Sequence, residues 1–152
     1  MGKLCDAFYI GGTKCGAMFG EAMVINNPLY QEDFRSYIKQ LGAMLAKGFL
    51  LGVQFDELFK DDLYFKIGVK ANLQAIKIKE AFLSKGYPMY IDSPTNKLFV
   101  TLPNSILPKF DEKYIFEKEY YVDENHTCVR FCTSFSTTDE EVETLVKDIL
   151  TF

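Results

Sequence analysis

The strongest constraint on this chain is a change of hydrophobic period at Gly86. Before it, Leu63, Ile67, Ala71, Ala75, Ile78 and Phe82 recur at three- and four-residue steps. That spacing puts one apolar stripe on a helix starting at Asp61-Asp62 and running to about residue 85. Gly86 suits the position just past a helix end, and Pro88 stops any continuation. After Gly86 the period becomes that of strands, over residues 89–91, 97–102, 113–118 and 127–132, with a short helix or turn at 104–110. Thr138 followed by Glu141 forms the signature of a capping box. Val142, Leu145, Val146 and Ile149 then give a last helix, over about 139–150, a single apolar face. The second half therefore reads as a small α+β unit, a sheet with helices on one side.

The first half is organised differently. Residues 6–10 form a short aromatic run closed by Gly11-Gly12, which reads as a buried strand. Residues 21–25, EAMVI, form a second strand. Between them lies GGTKCGAMFG, a tight loop with four glycines. Pro28 suits a first helical turn, and Phe34, Ile38, Leu41 and Leu45, then Leu51, Phe55 and Leu58, predict helix over about 31–59. Gly42, Gly48 and Gly52 weaken that helix or mark a break in it.

Composition narrows the function classes. With 48% hydrophobic residues, 14 Phe and 9 Tyr, the 152-residue chain can build a real core. The net charge is −4 and no run of Lys and Arg forms a basic patch, which argues against a nucleic-acid partner. The four cysteines, Cys5, Cys15, Cys128 and Cys132, match no zinc spacing, and His126 is the one histidine, so no metal site is expected. They read as reduced thiols of a cytoplasmic protein. No stretch of ~20 apolar residues is present to span a membrane, and the start shows no signal-peptide pattern.

Two residues stand out chemically. Lys14 sits between glycines directly after a strand, with the Thr13 hydroxyl beside it. Glycines let backbone approach a ligand closely, and a desolvated lysine amine becomes a nucleophile. The same residues also describe a hairpin with a solvated lysine. Arg130 lies in an apolar strand on the face it shares with Cys128 and Cys132. A charge there is costly unless paired, and any of the chain's acids could supply an ordinary salt bridge.

The segment DAFYIGGTKCGAMFGEAMVI resembles the cofactor-lysine segment of the threonine aldolase / β-eliminating lyase family, whose enzymes use pyridoxal 5'-phosphate (PLP). FRSYIKQLGAMLAKGFLLGVQFDELF resembles the helical stretch that follows it in that family. SPTNKLFVTLP and CVRFCTSFSTTDEEVETLV resemble its Thr-Asn-x-x-Phe strand and its closing strand and helix. Cys15 departs from the pattern, which has Asn or a small residue there.

The resemblance implies an α/β, aminotransferase-like architecture. Residues 1–60 would be the tail of the PLP-binding large domain, its first strands belonging to a large parallel sheet. Residues 61–152 would be a linking helix and a small α+β domain. It implies that Lys14 condenses with the cofactor aldehyde, with Thr13 beside it. Lys39, one helical turn from Arg35, would help hold the cofactor phosphate, and Arg130 would hold the α-carboxylate of an amino-acid substrate. The phosphate cradle, the stacking ring and the Asp for the pyridine nitrogen normally lie further upstream, so the chain is expected to be part of a larger enzyme. Its partners would be a missing amino-terminal half or further copies in a dimer or tetramer. Aldol cleavage of threonine or allo-threonine is the expected chemistry, with β-elimination, another PLP activity or a non-catalytic remnant as rivals. Asn96, after Pro94 and Thr95, reads as a turn residue, and His126 as exposed.

Overall fold

The computed structural model describes residues 1–152 and divides into two compact units, residues 1–65 and residues 66–152.

In residues 1–65, strands β1 (Ala7–Gly11) and β2 (Glu21–Ile25) pair antiparallel, with Tyr9 opposite Met23. The expected buried strand of a parallel sheet is corrected on both counts. The pairing is antiparallel, and no residue of either strand is buried. A two-stranded ribbon is too narrow to bury much of either face.

Helix also arrives in pieces rather than as one run. α1 (Pro28–Gln31) is capped by the Asn27 side chain, which accepts from the Leu29 amide at 3.0 Å. α2 (Phe34–Gln40) ends where Gly42 adopts φ +71°, its amide bonding back to the Lys39 carbonyl. α3 (Phe49–Phe59) follows. Asp61 and Asp62 take positive φ, so the long helix α4 (Leu63–Ser84) starts at Leu63 rather than at the aspartates. Its first turn closes the first unit, and the rest of the helix belongs to the second.

Residues 66–152 match the expected α+β arrangement. Strands β3 (Met89–Ile91), β4 (Lys97–Pro103), β5 (Glu117–Tyr121) and β6 (His126–Cys132) form an antiparallel sheet in the order β3-β4-β6-β5. Alternation in β4 sends Leu98, Val100 and Leu102 into the core, and Val129 and Phe131 of β6 point the same way. They pack on Ala75, Ile78 and Phe82 of α4, on Phe110 of α5 (Leu107–Asp111), and on Val142, Leu145 and Ile149 of α6 (Asp139–Thr151). Phe82, Phe110 and Phe131 meet at ring separations of 5.4–6.0 Å. The α6 capping box forms as the sequence predicts: Thr138 Oγ1 accepts from the Glu141 amide, and the Glu141 carboxylate accepts from the Thr138 amide.

The third predicted strand, 113–118, begins instead at Glu117. The amides of Lys113 and Tyr114 both bond back to the Phe110 carbonyl, and both side chains reach Asp148 of α6 at 2.8 Å. Those two residues finish a helical turn before the strand can begin.

Candidate active-site residues

Lys14 and Thr13 lie together in a single 3-10 turn, Thr13–Cys15, between β1 and β2. The turn is closed by the Cys15 and Ala17 amides, which both donate to the Gly12 carbonyl. Gly16 follows at φ +101°, a conformation that favours glycine.

The loop is seated on α3. A Cβ on Gly12 would come within 2.8 Å of Ala17 Cβ and 2.9 Å of Phe55 Cζ, and one on Gly20 within 2.1 Å of Leu51 Cδ2. Gln54 Oε1 accepts from the Met18 amide at 2.7 Å, and its Nε2 donates to the Phe19 carbonyl. Tyr64 donates its hydroxyl proton to the Gly11 carbonyl at 3.1 Å. Burial, with the Cys15 thiol close by, holds the Tyr64 phenol above its ordinary pKa. The buried hydrophobic side chains of residues 1–65 are Ala17, Phe55 and Leu58. Burial in this unit is thus concentrated in the loop and in the helix that carries it.

Lys14 itself is exposed, as is Thr13. The desolvation expected of a nucleophilic lysine is not met within this unit, because no apolar wall closes around the amine. Lys39 and Arg35 lie one turn apart on α2, both exposed.

Arg130 belongs to the other unit. It lies on the sheet face away from the helices, opposite Phe99 of β4 and Glu117 of β5. Its Nε is 3.1 Å from Glu119 Oε1, so the strand's charge is paired as the sequence requires. The N–H is not aimed at the oxygen, and the buried Nε therefore attracts the carboxylate without a true hydrogen bond.

The sequence does not single out Glu119. Between Lys118 opposite Val129 and Tyr120 opposite Cys128, Glu119 is an extra residue in β5, a β-bulge. A second bulge in β3 frees Tyr90 in the same way. The two rings meet with centroids 5.7 Å apart, so they reach each other over the two central strands. Cys128, in register with Tyr120 and Thr101, is fully buried on this face, and burial with the Glu119 charge pushes its thiol pKa up. Bulges leave no trace in a hydrophobic period, which is why neither the acid nor the tyrosine pair was legible.

Other candidates resolve as structure. Asn96 donates to the Thr133 carbonyl at 2.5 Å, and the Thr133 amide returns the bond to the Asn96 carbonyl, so this pair braces the end of β4 against β6. His126 is half-buried, with Nδ1 2.9 Å from Asp123 Oδ1. All four cysteines are free. No cluster of potential metal ligands is present, and no helix is long and apolar enough to cross a membrane.

No family model matches the chain. The low specificity L-threonine aldolase of Pseudomonas aeruginosa is 27% identical over 145 residues, which is 95% of this chain and 41% of that protein. A threonine aldolase from Leishmania major matches in structure with a TM-score of 0.91 at 36% identity, over 97% of this chain and 43% of the other. The chain is homologous to the carboxy-terminal part of threonine aldolase. This threonine aldolase homologue spans about two-fifths of its relatives' length (41% and 43%), and the large aminotransferase-like domain is not in it. The 8-amino-7-oxononanoate synthase of Francisella tularensis shares the fold of the homologue, with a TM-score of 0.57 at 14% identity.

Proposed function

We propose that the chain is part of a PLP-dependent lyase that cleaves L-threonine or L-allo-threonine to glycine and acetaldehyde, and that residues 1–152 alone are inactive. The observation that carries this reading is the seated loop at Lys14. Within residues 1–65, the buried apolar groups and the side-chain bonds from Gln54 and Tyr64 fix the backbone on either side of one lysine. The lysine's own amine stays free of the packing. Such a site fits attachment of an aldehyde cofactor: a rigid base, an accessible amine, and small residues that admit a ring.

PLP, when bound, supplies an electron sink for the electrons of the broken bond. The chain's own residues then have distinct tasks. Lys14 holds the cofactor and moves protons at the substrate Cα. Thr13 offers a hydroxyl beside it, and Lys39 offers a cation for the phosphate. Arg130 grips the α-carboxylate through its guanidinium fork and so orients the scissile bond. Residues 1–60 then serve as the tail of the cofactor-binding domain and residues 61–152 as the linking helix and small domain. The four free thiols accord with work in the cytoplasm.

The chain's partner is a polypeptide supplying the remaining cofactor-binding half, or further copies in a dimer or tetramer. Tyr9, Met18, Met23, Leu29, Leu41 and Phe49 of residues 1–65 are each more than half exposed, apolar side chains that such a partner would cover. These exposed apolar side chains also fit a second reading, a non-catalytic piece that binds through them alone.

Absorbance with added PLP decides between them. The chain mixed with the amino-terminal portion of a threonine aldolase is expected to gain a visible band that borohydride converts into a covalent label on Lys14. Lys14→Ala abolishes both, and without borohydride only the mixture that shows the band releases glycine from threonine. Absence of label in every combination would leave the non-catalytic reading standing.

A further inference from the structure

Two acids flank Arg130 on its face of the sheet, and their source is specific. Glu117 is directly opposite Arg130 in the β5–β6 ladder, and the bulge adds Glu119, whose carboxylate is 3.1 Å from Nε. On the same face the remaining cation is Lys97, exposed and in register with Cys132 at the strand's end. The Arg130 and Glu119 side chains are only 31% and 23% exposed, so water screens their pairing incompletely. Contact is through Nε, the inner nitrogen, which leaves the terminal pair of nitrogens as the fork for a carboxylate. A ligand carboxylate that takes this fork therefore approaches an arginine already neutralised, with a second acid close by.

We propose that Glu119 sets the ligand selectivity of Arg130: a carboxylate is accepted there chiefly on a molecule that also carries a positive charge, a zwitterionic amino acid, and simple carboxylate anions are turned away. The inference rests on the reading of Arg130 as the carboxylate site and adds to it the acid that chooses among carboxylates. A bare anion meets the field of Glu119 uncompensated. An amino acid brings an ammonium that offsets it, so the penalty falls on the wrong ligand alone.

Glycine and acetate, titrated separately into the chain at constant ionic strength, test this. Nitrogen NMR of the arginine Nε–H groups gives the readout, with Arg130 assigned from Arg130→Gln. In the unaltered chain the Arg130 signal should respond to glycine at several-fold lower concentration than to acetate. Glu119→Gln, nearly isosteric, should strengthen acetate binding by on the order of threefold to tenfold with little change for glycine, collapsing the preference. Raising the salt concentration should narrow the preference in the unaltered chain. Equal responses of the Arg130 signal to both ligands would overturn the role of Glu119 and keep Arg130 as a carboxylate site. No response to either ligand would sink both. Where Glu119→Gln fails to fold, Glu119→Ala takes its place, and a preference that survives it would overturn the role of Glu119.

Discussion

Gly12 has no room for a side chain, and this single position ties the Lys14 turn to its support. Gly12→Ala would drive a methyl into Ala17 Cβ and the Phe55 ring, at 2.8 and 2.9 Å. The expected cost is about 1–3 kcal/mol, read as faster hydrogen exchange across residues 12–20 with residues 66–152 unchanged. Tyr114 offers a test by pH. Burial, and then its hydrogen bond to Asp148, push its phenol up to about 12 from the ordinary 10.0. A folded pKa above the unfolded one gives stability that is complete below pH 10 and is lost as pH rises towards 12. Ultraviolet titration should show a tyrosine step at about pH 12, and Tyr114→Phe should remove it. Lys14 and Arg130 could be named from sequence because a glycine-framed lysine and a charge in an apolar strand are local patterns. Whether Lys14 is covered is not local: the sequence left a solvated and a desolvated amine both open, and within residues 1–65 the side chain is exposed.

At the scale of elements, the long periodic stripes were the legible ones. The stripe from Leu63 to Phe82 and the face of Val142, Leu145 and Ile149 became α4 and α6, because one side of each helix meets the sheet. What failed were the ends and joints. Positive φ at Asp61 and Asp62, the glycine stop at Gly42 and the turn held at Lys113 and Tyr114 depend on backbone geometry that periodicity does not report. Thr138→Ala should remove the α6 cap and cost about 1 kcal/mol, seen as a lower urea midpoint with an unchanged slope. Phe110→Ala, at the centre of the aromatic cluster and fully buried, should cost about 3–5 kcal/mol in the same assay.

For the whole molecule, core is distributed unevenly. Residues 66–152 bury most of the chain's fully enclosed side chains, whereas residues 1–65 bury Ala17, Phe55 and Leu58. Amide exchange should therefore find its slowest protons in β4 and β6, and rapid exchange in β1 and β2 until a covering chain is supplied. Addition of the amino-terminal portion of a threonine aldolase should slow exchange in β1 and β2 first. A partner that slowed only residues 66–152 would contradict the apolar surface proposed for assembly.

The supernumerary residue in β5 has a consequence for how such a sheet can change. Removing Glu119 would leave Lys118 opposite Val129 and Tyr120 opposite Cys128, an unbroken ladder with every core side chain still facing inward. An outermost strand is bonded along one side only, so it can gain or shed one amino acid without a slip in its neighbours. The acid beside Arg130 is thus separable from the architecture that presents it, and relatives could differ there by a single codon while keeping the same fold.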